Sequence, residues 1–168
     1  EPEIVLHFAR SPAAGAGPRA LLECIDWIAH GYEIVDSPYA GWKFRLPDTI
    51  GAFGLHGALI VGPTRLVGTL SGGGAALVRA LAEFTIELRC NGEVRDRGRG
   101  ANVLDSPLLA VEQFLRLLTE QSAFAPLAAG EIVTTGTLTA ALPIRVGEVW
   151  STALAGIALP GLSLAFEP

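Results

Sequence analysis

The chain has 168 residues, of which 50% are hydrophobic and 17% are charged, and its formal net charge is −5. This composition is typical of one globular domain and excludes a disordered chain, while the acidic balance argues against a nucleic-acid partner. No apolar run approaches the ~20 residues that a membrane-spanning helix needs. The two cysteines, Cys24 and Cys90, lack a CxxC spacing and are typical of reduced thiols, which predicts a cytoplasmic protein.

Two carboxylates open the first predicted strand. Glu1 and Glu3 precede the apolar run Ile4–Leu6, and residues i and i+2 of a strand point to the same side. Neighbouring acids repel each other unless a cation or a basic group lies between them, and Mg²⁺ and Mn²⁺ prefer carboxylate oxygens. The pattern indicates either a metal site or two solvated residues at a frayed terminus.

A loop and a helix are predicted to follow this strand. Residues 10–17 are rich in Ala, Gly, Ser and Pro, so we expect a mobile loop near the carboxylates, acting as a lid or as a plain connector. Pro18 suits the first turn of a helix, and Gly31 suits its C-terminal stop. Apolar residues at spacings of three and four therefore predict an amphipathic helix over residues 19–30.

A third carboxylate, that of Glu33, follows this predicted helix in the sequence. Residues 32–36 are predicted to form a short strand with Glu33 on one face and Asp36 on the other. A strand, helix, strand connection can bring its two strand starts together. We therefore expect Glu33 to join Glu1 and Glu3 around one ion, with Asp36 as the competing third ligand.

The rest of the chain is rich in predicted strands. Asn91-Gly92 predicts a type I′ hairpin turn between strands 85–90 and 93–97, and Ser106-Pro107 predicts the start of a helix with one apolar stripe. Further predictions are a buried strand over 57–62, a flexible glycine crossing over 72–74, and strands over 131–135, 148–153 and 162–166. Few helices and many turn-joined strands predict an α+β, strand-rich fold, a mixed β-sheet roll or barrel with flanking helices, over a single domain 1–168.

Several segments resemble, in order and spacing, the motifs of one enzyme family. They are Glu1-Pro2-Glu3 (E-x-E), residues 32–37 (L-E-I-V-D-S), Trp42-Lys43 (D-W-K), Asp48-Thr49 (D-T), Gly98-Arg99-Gly100, Ser106-Pro107-Leu108, and residues 130–136 (G-D-x-x-L-T-G). On these motifs the chain is similar to the 2-keto-4-pentenoate hydratase and 2-oxo-3-hexenedioate decarboxylase family of the fumarylacetoacetate hydrolase superfamily. The resemblance implies that residues 1–168 are a catalytic domain without the family's N-terminal segment.

The resemblance also implies the roles of individual residues. Glu1, Glu3 and Glu33 would bind Mg²⁺ or Mn²⁺, with Glu33 and Lys43 as catalytic groups. The substrate would contact Asp48, Phe53, Leu55, Thr135 and Gly136.

Two family motifs are altered in this chain. The family's A-D-N-A-S-x-G has become residues 51–57, so that Phe53 and Leu55 replace Asn and Ser. The family's G-H-P-L-N-A has become residues 105–110, which lack its His and Asn. We expect an apolar pocket wall at Phe53 and Leu55, and His56 either replaces a lost polar group or is incidental.

The implied activity is addition of water to a small 2-hydroxy-2,4-dienoate in aromatic-compound catabolism, by a metal-dependent homo-oligomer. The apolar wall favours this hydratase over the alternative, a 2-oxo-3-hexenedioate-type decarboxylase, because a second carboxylate would be poorly solvated there. A catalytically inactive binding or scaffolding subunit is a further alternative. Hydrolysis of an acylpyruvate needs a base-activated water, and the sequence gives no obvious His–Glu pair for it.

Overall fold

The computed structural model describes residues 1–70, 73–121 and 123–168. The strands are β1 (Pro2–Phe8), β2 (Ile25–Val35), β3 (His56–Val61), β4 (Arg65–Leu66), β5 (Thr85–Cys90), β6 (Glu93–Arg99), β7 (Ile132–Thr134), β8 (Val149–Ala155) and β9 (Ser163–Ala165). The helices are α1 (Pro18–Cys24), α2 (Leu46–Gly51), α3 (Gly73–Glu83) and α4 (Pro107–Glu120). Of the flexible glycine crossing predicted over 72–74, Gly72 lies outside the described residues, while Gly73 and Gly74 begin helix α3, so the prediction is wrong for these two.

The strands form two sheets. The first has the order β3-β2-β1-β7, with β4 also paired to β2, and the second has the order β6-β5-β8-β9. Both sheets and helices α1, α3 and α4 contribute to one main core, which includes Ile4, Leu6, Leu21, Ile28, Leu81, Ile86 and Leu108. The strand-rich α+β class with a few flanking helices is therefore confirmed, although every ladder in the described ranges is antiparallel rather than mixed.

The helix predicted over 19–30 is wrong beyond Cys24, because residues 25–35 form the long strand β2. This strand is central in its sheet and buried on both faces around residues 28–32. A strand buried on both sides shows no alternation, so its apolar spacing also fitted a helix. Its β-branched and aromatic residues favour the extended form.

The predicted arrangement of the first two strands is also corrected. Strands β1 and β2 are antiparallel, with Pro2 opposite Tyr32 and Glu3 opposite Gly31. The end of β2, not its start, therefore lies beside the start of β1. The loop over 10–17 follows the other end of β1, roughly 17 Å from Glu3 along the strand, so it is not the predicted lid near the carboxylates.

Several local predictions are confirmed. Asn91 and Gly92 have φ of 51° and 84° and join β5 to β6 as the type I′ turn requires. Ser106 caps α4, since its side chain accepts a hydrogen bond from the Leu108 N–H. By contrast, β3 is an exposed edge strand rather than the buried strand predicted over 57–62, because β2 covers only one of its sides.

The cysteines and the lengths of the helices bear on two further predictions from the sequence. Both cysteines are free thiols, Cys24 in α1 and Cys90 in β5. Within the described ranges, every helix is too short or too polar to traverse a lipid bilayer.

The Gly98-Arg99-Gly100 motif has a packing role that leads to a prediction. A Cβ at Gly98 would lie 1.9 Å from the carbonyl oxygen of Leu138, and the Leu138 N–H is bonded to the Pro2 carbonyl at the start of β1. We expect Gly98→Ala to lower the free energy of unfolding by about 3 kcal/mol, the upper range of overpacking. Urea unfolding measures the loss.

Gly51→Ala is the matched control. A Cβ at Gly51 would meet nothing within 4 Å. Because Gly51 ends α2 and alanine favours the helix over glycine, its unfolding free energy should stay unchanged or rise by up to about 1 kcal/mol. Equal stability of the Gly98 and Gly51 variants would contradict the packing role of the motif.

Candidate metal centre and cleft

Three carboxylates meet where the start of β1 lies beside the end of β2. One oxygen from each of Glu1, Glu3 and Glu33 lies within 4.8 Å of the other two. The Glu33 N–H donates to the Glu1 carbonyl at 2.8 Å, and Glu3 lies opposite Gly31. Antiparallel pairing thus puts all three side chains on one face. We call these three residues the acidic cluster.

Glu3 is the buried member of the acidic cluster, with 1% of its surface exposed. Burial raises its pKa to about 7; repulsion by Glu33 adds to this effect, and a hydrogen bond from the Gly136 N–H opposes it. That bond measures 2.9 Å to Oε2. Burial and repulsion by Glu33 also raise the pKa of Glu1. Two acids are therefore held where their ionised forms are unfavourable without a cation.

Thr135 and Gly136, predicted to contact substrate, lie beside this cluster. The N–H and the hydroxyl of Thr135 both donate to the Ile4 carbonyl, at 3.2 and 3.3 Å. These bonds hold the chain after β7 against β1. Gly136 then has φ of +108°, a conformation that favours glycine, and this lets its N–H point at Glu3.

His30 supports Glu3 from the other face of the sheet, a role that the sequence did not indicate. It is 1% exposed, with Nδ1 3.0 Å from the Glu3 carbonyl and Nε2 2.8 Å from the Thr152 hydroxyl. Because a carbonyl only accepts, Nδ1 donates to Glu3. Burial lowers the His30 pKa to about 4, so the imidazole is neutral near pH 7 and its Nε2 accepts from the Thr152 hydroxyl. His30 thereby joins β1 of the first sheet to β8 of the second.

A cleft of about 850 Å³ opens beside the acidic cluster and includes Glu1 and Glu33 in its lining. Trp42, Leu142 and Ile144 are among the large apolar side chains that line it. Asp36, the competing third ligand, also lines the cleft, but its carboxylate is not part of the acidic cluster. The remaining lining residues are Ile34, Val35, Gly57, Ala58, Ala141 and Pro143.

The other predicted site residues belong neither to the acidic cluster nor to the described lining of the cleft. Lys43 is exposed and follows Trp42 in the segment between β2 and α2. The Asp48 carboxylate accepts a hydrogen bond of 2.7 Å from the backbone at the start of α2. Phe53 is 88% exposed and Leu55 is buried, and neither belongs to the cleft lining given by the described residues. The apolar wall comes from Trp42 and residues 141–144 instead.

His56 contacts the acidic cluster directly. Its Nδ1 lies 2.7 Å from Oε1 of Glu33, so the chain does contain a His–Glu pair that its sequence did not make obvious. The two residues are 23 positions apart and meet only because β3 pairs with β2. The histidine therefore belongs to the candidate site.

The antiparallel fold and the carboxylate cluster at its cleft have the form of a fumarylacetoacetate hydrolase domain. Residues 1–159 match the family described as Fumarylacetoacetate (FAA) hydrolase C-terminal. The chain belongs to this family, which confirms the resemblance drawn from the motifs.

The relatives of this chain are named as decarboxylases and as hydratases. The chain is 30% identical to 4-oxalocrotonate decarboxylase from Pseudomonas sp. (strain CF600) over 148 residues, 86% of this chain and 52% of that protein. It is 28% identical to 2-keto-4-pentenoate hydratase from Paraburkholderia xenovorans (strain LB400) over 137 residues, 82% of this chain and 47% of that protein. The chain thus spans about half the length of the curated relatives that it matches.

A solved structure of a 4-oxalocrotonate decarboxylase has a fold similar to that of this chain. The 4-oxalocrotonate decarboxylase of Pseudomonas putida G7, complexed with magnesium and adipate, superposes with a TM-score of 0.82 at 28% identity. The match covers 99% of this chain and 59% of that chain. The family therefore includes both hydratases and decarboxylases at similar distances from this chain, and both are lyases.

Proposed function

We propose that this chain forms the catalytic domain of a divalent-metal-dependent lyase that acts on a small 2-oxo or 2-hydroxydienoate acid. The observation that carries the proposal is the position of the acidic cluster at a cleft of about 850 Å³ with an apolar wall. The relatives support the same class, since they are named as a hydratase and a decarboxylase and the solved decarboxylase holds magnesium.

The acidic cluster has the chemistry to hold a hard divalent cation. Its three carboxylates offer the oxygen ligands that Mg²⁺ and Mn²⁺ prefer. The pKa of Glu3 is raised to about 7, so its ionised form is disfavoured in the site without a cation. An adjacent cation would stabilise that form. When bound, such an ion supplies positive charge opposite the carboxylate and 2-oxygen of an oxo acid.

The residues around the acidic cluster would bind and orient the substrate. Trp42, Leu142 and Ile144 would exclude water from its apolar tail. Glu33 borders the cleft and is only partly buried, so we propose that it moves a proton at the substrate as well as holding the cation. Lys43 is exposed and follows Trp42 outside the described lining, and we propose that it offsets negative charge at the carboxylate end of the substrate, beside the acidic cluster.

The composition of the cleft favours a hydratase over a decarboxylase of dicarboxylic acids. The lining residues that the structure describes include no lysine, arginine or histidine. A substrate with a second carboxylate at its far end would lose hydration there without gaining a charged partner. We therefore propose 2-hydroxypenta-2,4-dienoate, or a homologue with an apolar tail, as the class of substrate.

Steady-state kinetics with Mg²⁺ test this choice. We expect kcat/KM for hydration of 2-hydroxypenta-2,4-dienoate to exceed that for decarboxylation of 2-oxo-3-hexenedioate. Ile144→Arg puts a cation on the apolar wall and should shift the ratio toward the dicarboxylate by about tenfold or more, since hydrogen bonds to charged groups are worth about 1.5–3 kcal/mol.

Val146→Arg is the matched control for this substitution. Val146 is exposed and lies outside the described lining of the cleft, so the added charge should leave the ratio unchanged. If the Mg²⁺-saturated protein turned over neither acid, the result would contradict the proposed lyase and favour a binding or scaffolding role.

One observation favours a second candidate function. The His56–Glu33 pair is the kind of arrangement that could activate a water for hydrolysis of an acylpyruvate. Release of pyruvate from an acylpyruvate, and its loss in His56→Ala, would support this function over hydration.

A further inference from the structure

The pair formed by His56 and Glu33 lies at the edge of the acidic cluster. The distance of 2.7 Å between Nδ1 and Oε1 is that of a short hydrogen bond. The side chains are 47% and 19% exposed, so the histidine approaches the carboxylate from the solvent side. Surface pairs of this kind contribute little to stability, so any role for His56 would concern the site rather than the fold.

A β-bulge places His56 on the face that carries Glu33. Glu33 lies opposite Leu59 and Ile34 opposite Ala58, and the next pair is Val35 with His56, which leaves Gly57 as an extra residue. In a regular ladder Gly57 would lie opposite Val35, and His56 would point to the other face. The bulge therefore re-aims the histidine.

The backbone at the bulge and just before it is constrained in a way that fits this geometry. A Cβ at Gly57 would lie 2.9 Å from the Ile34 carbonyl oxygen, so the position needs glycine. Phe53, Gly54 and Leu55 all have positive φ, between 52° and 70°. Left-handed backbone at non-glycine residues costs about 1–2 kcal/mol each, and such strain clusters at functional sites.

We propose that His56 is a positioning residue for Glu33: its Nδ1–H donates to the carboxylate and holds it turned toward Glu1 and Glu3. This inference rests on the proposed function, because the orientation matters only if the acidic cluster binds a cation. Groups that hydrogen-bond to metal ligands set the orientation of those ligands, and their loss costs about 10–100-fold in metal affinity or activity. A neutral imidazole can make this bond when its proton is on Nδ1.

Mg²⁺ titrations by calorimetry at one fixed pH test the proposal without any substrate. His56→Ala is expected to weaken Mg²⁺ binding by about 10–100-fold. His56→Asn should restore most of the affinity, because the asparagine amide N–H takes the position of Nδ1–H. His56→Leu, which keeps bulk without a donor, should behave like His56→Ala and provides a second variant.

His7→Ala is the matched control. His7 forms an equivalent pair with Asp26, at 2.5 Å, and lies on β1 roughly 13 Å from Glu3. It should leave the Mg²⁺ affinity unchanged, and thermal unfolding without metal checks that each variant is folded.

The outcomes separate the two proposals. Binding by the unsubstituted protein, with losses in His56→Ala and His56→Leu and rescue by His56→Asn, supports the positioning role. Equal Mg²⁺ affinity of the unsubstituted protein and His56→Ala would overturn this role alone. Loss in all three His56 variants would also overturn it, since the Nδ1 donor would then not be what matters. No binding by the unsubstituted protein would overturn the proposed function and this inference together.

Discussion

Glu3→Gln is expected to weaken Mg²⁺ binding by more than about 100-fold. Loss of a group that only hydrogen-bonds to a metal ligand costs about 10–100-fold, and loss of a charged ligand should cost more. Glu3 is the buried member of the acidic cluster, so water has little access to compensate for the loss of its negative charge. The glutamine oxygen can still accept the 2.9 Å hydrogen bond from the Gly136 N–H. The substitution therefore removes the charge while keeping the local geometry, and calorimetry measures the loss directly.

Asp36→Asn is the matched control for this experiment. Asp36 lines the same cleft, but its carboxylate lies outside the acidic cluster. Its substitution should leave the Mg²⁺ affinity close to that of the unsubstituted protein. Equal losses in the two variants would mean that the cleft attracts cations by its general charge, and that Glu3 is no specific ligand.

The contribution of Glu3 to the stability of the metal-free protein should fall as the pH rises from about 4.5 to 7. The pKa of this carboxyl is raised to about 7 in the folded state, so the folded protein binds more protons than the unfolded chain in this window. The shift corresponds to about 3 kcal/mol of stability that is present below pH 4.5 and lost by pH 7.

His30 contributes with the opposite sign. Its pKa is lowered to about 4 in the folded state, so its contribution is present above about pH 6.5 and lost as the pH falls through 4. Between pH 4.5 and 6.5 the two contributions oppose each other, which flattens the profile of the unsubstituted protein. Glu3→Gln removes one of them and should leave a stability that rises with pH.

Urea unfolding from pH 4.5 to 8 in the presence of EDTA measures this difference. The stability of Glu3→Gln relative to the unsubstituted protein should grow with pH by up to about 3 kcal/mol. Added Mg²⁺ should stabilise only the unsubstituted protein at pH 7 and above, since binding to the folded state adds to its stability. Parallel pH profiles for the two proteins would contradict the raised pKa of Glu3.

Local patterns in the sequence were sufficient for several elements. The Asn91-Gly92 turn and the Ser106 cap each depend on the conformation of a few neighbouring residues, and both are confirmed. The motif series led to the family because its residues, such as the E-x-E of Glu1 and Glu3, keep their order along the chain. The strand-rich class followed from the many turns between short apolar segments.

Only the tertiary structure decided how the site is assembled. The strand nature of residues 25–35 depends on burial by β1 and β3, which the apolar spacing does not encode. The antiparallel ladder brings Glu33 to Glu1, and one extra residue, Gly57, turns His56 onto their face. The sequence thus determined the family, the fold class and the chemical types in the site, because these depend on local composition and order. Contacts between residues far apart in the chain depend on register and on the packing of the two sheets, and the structure was needed for them.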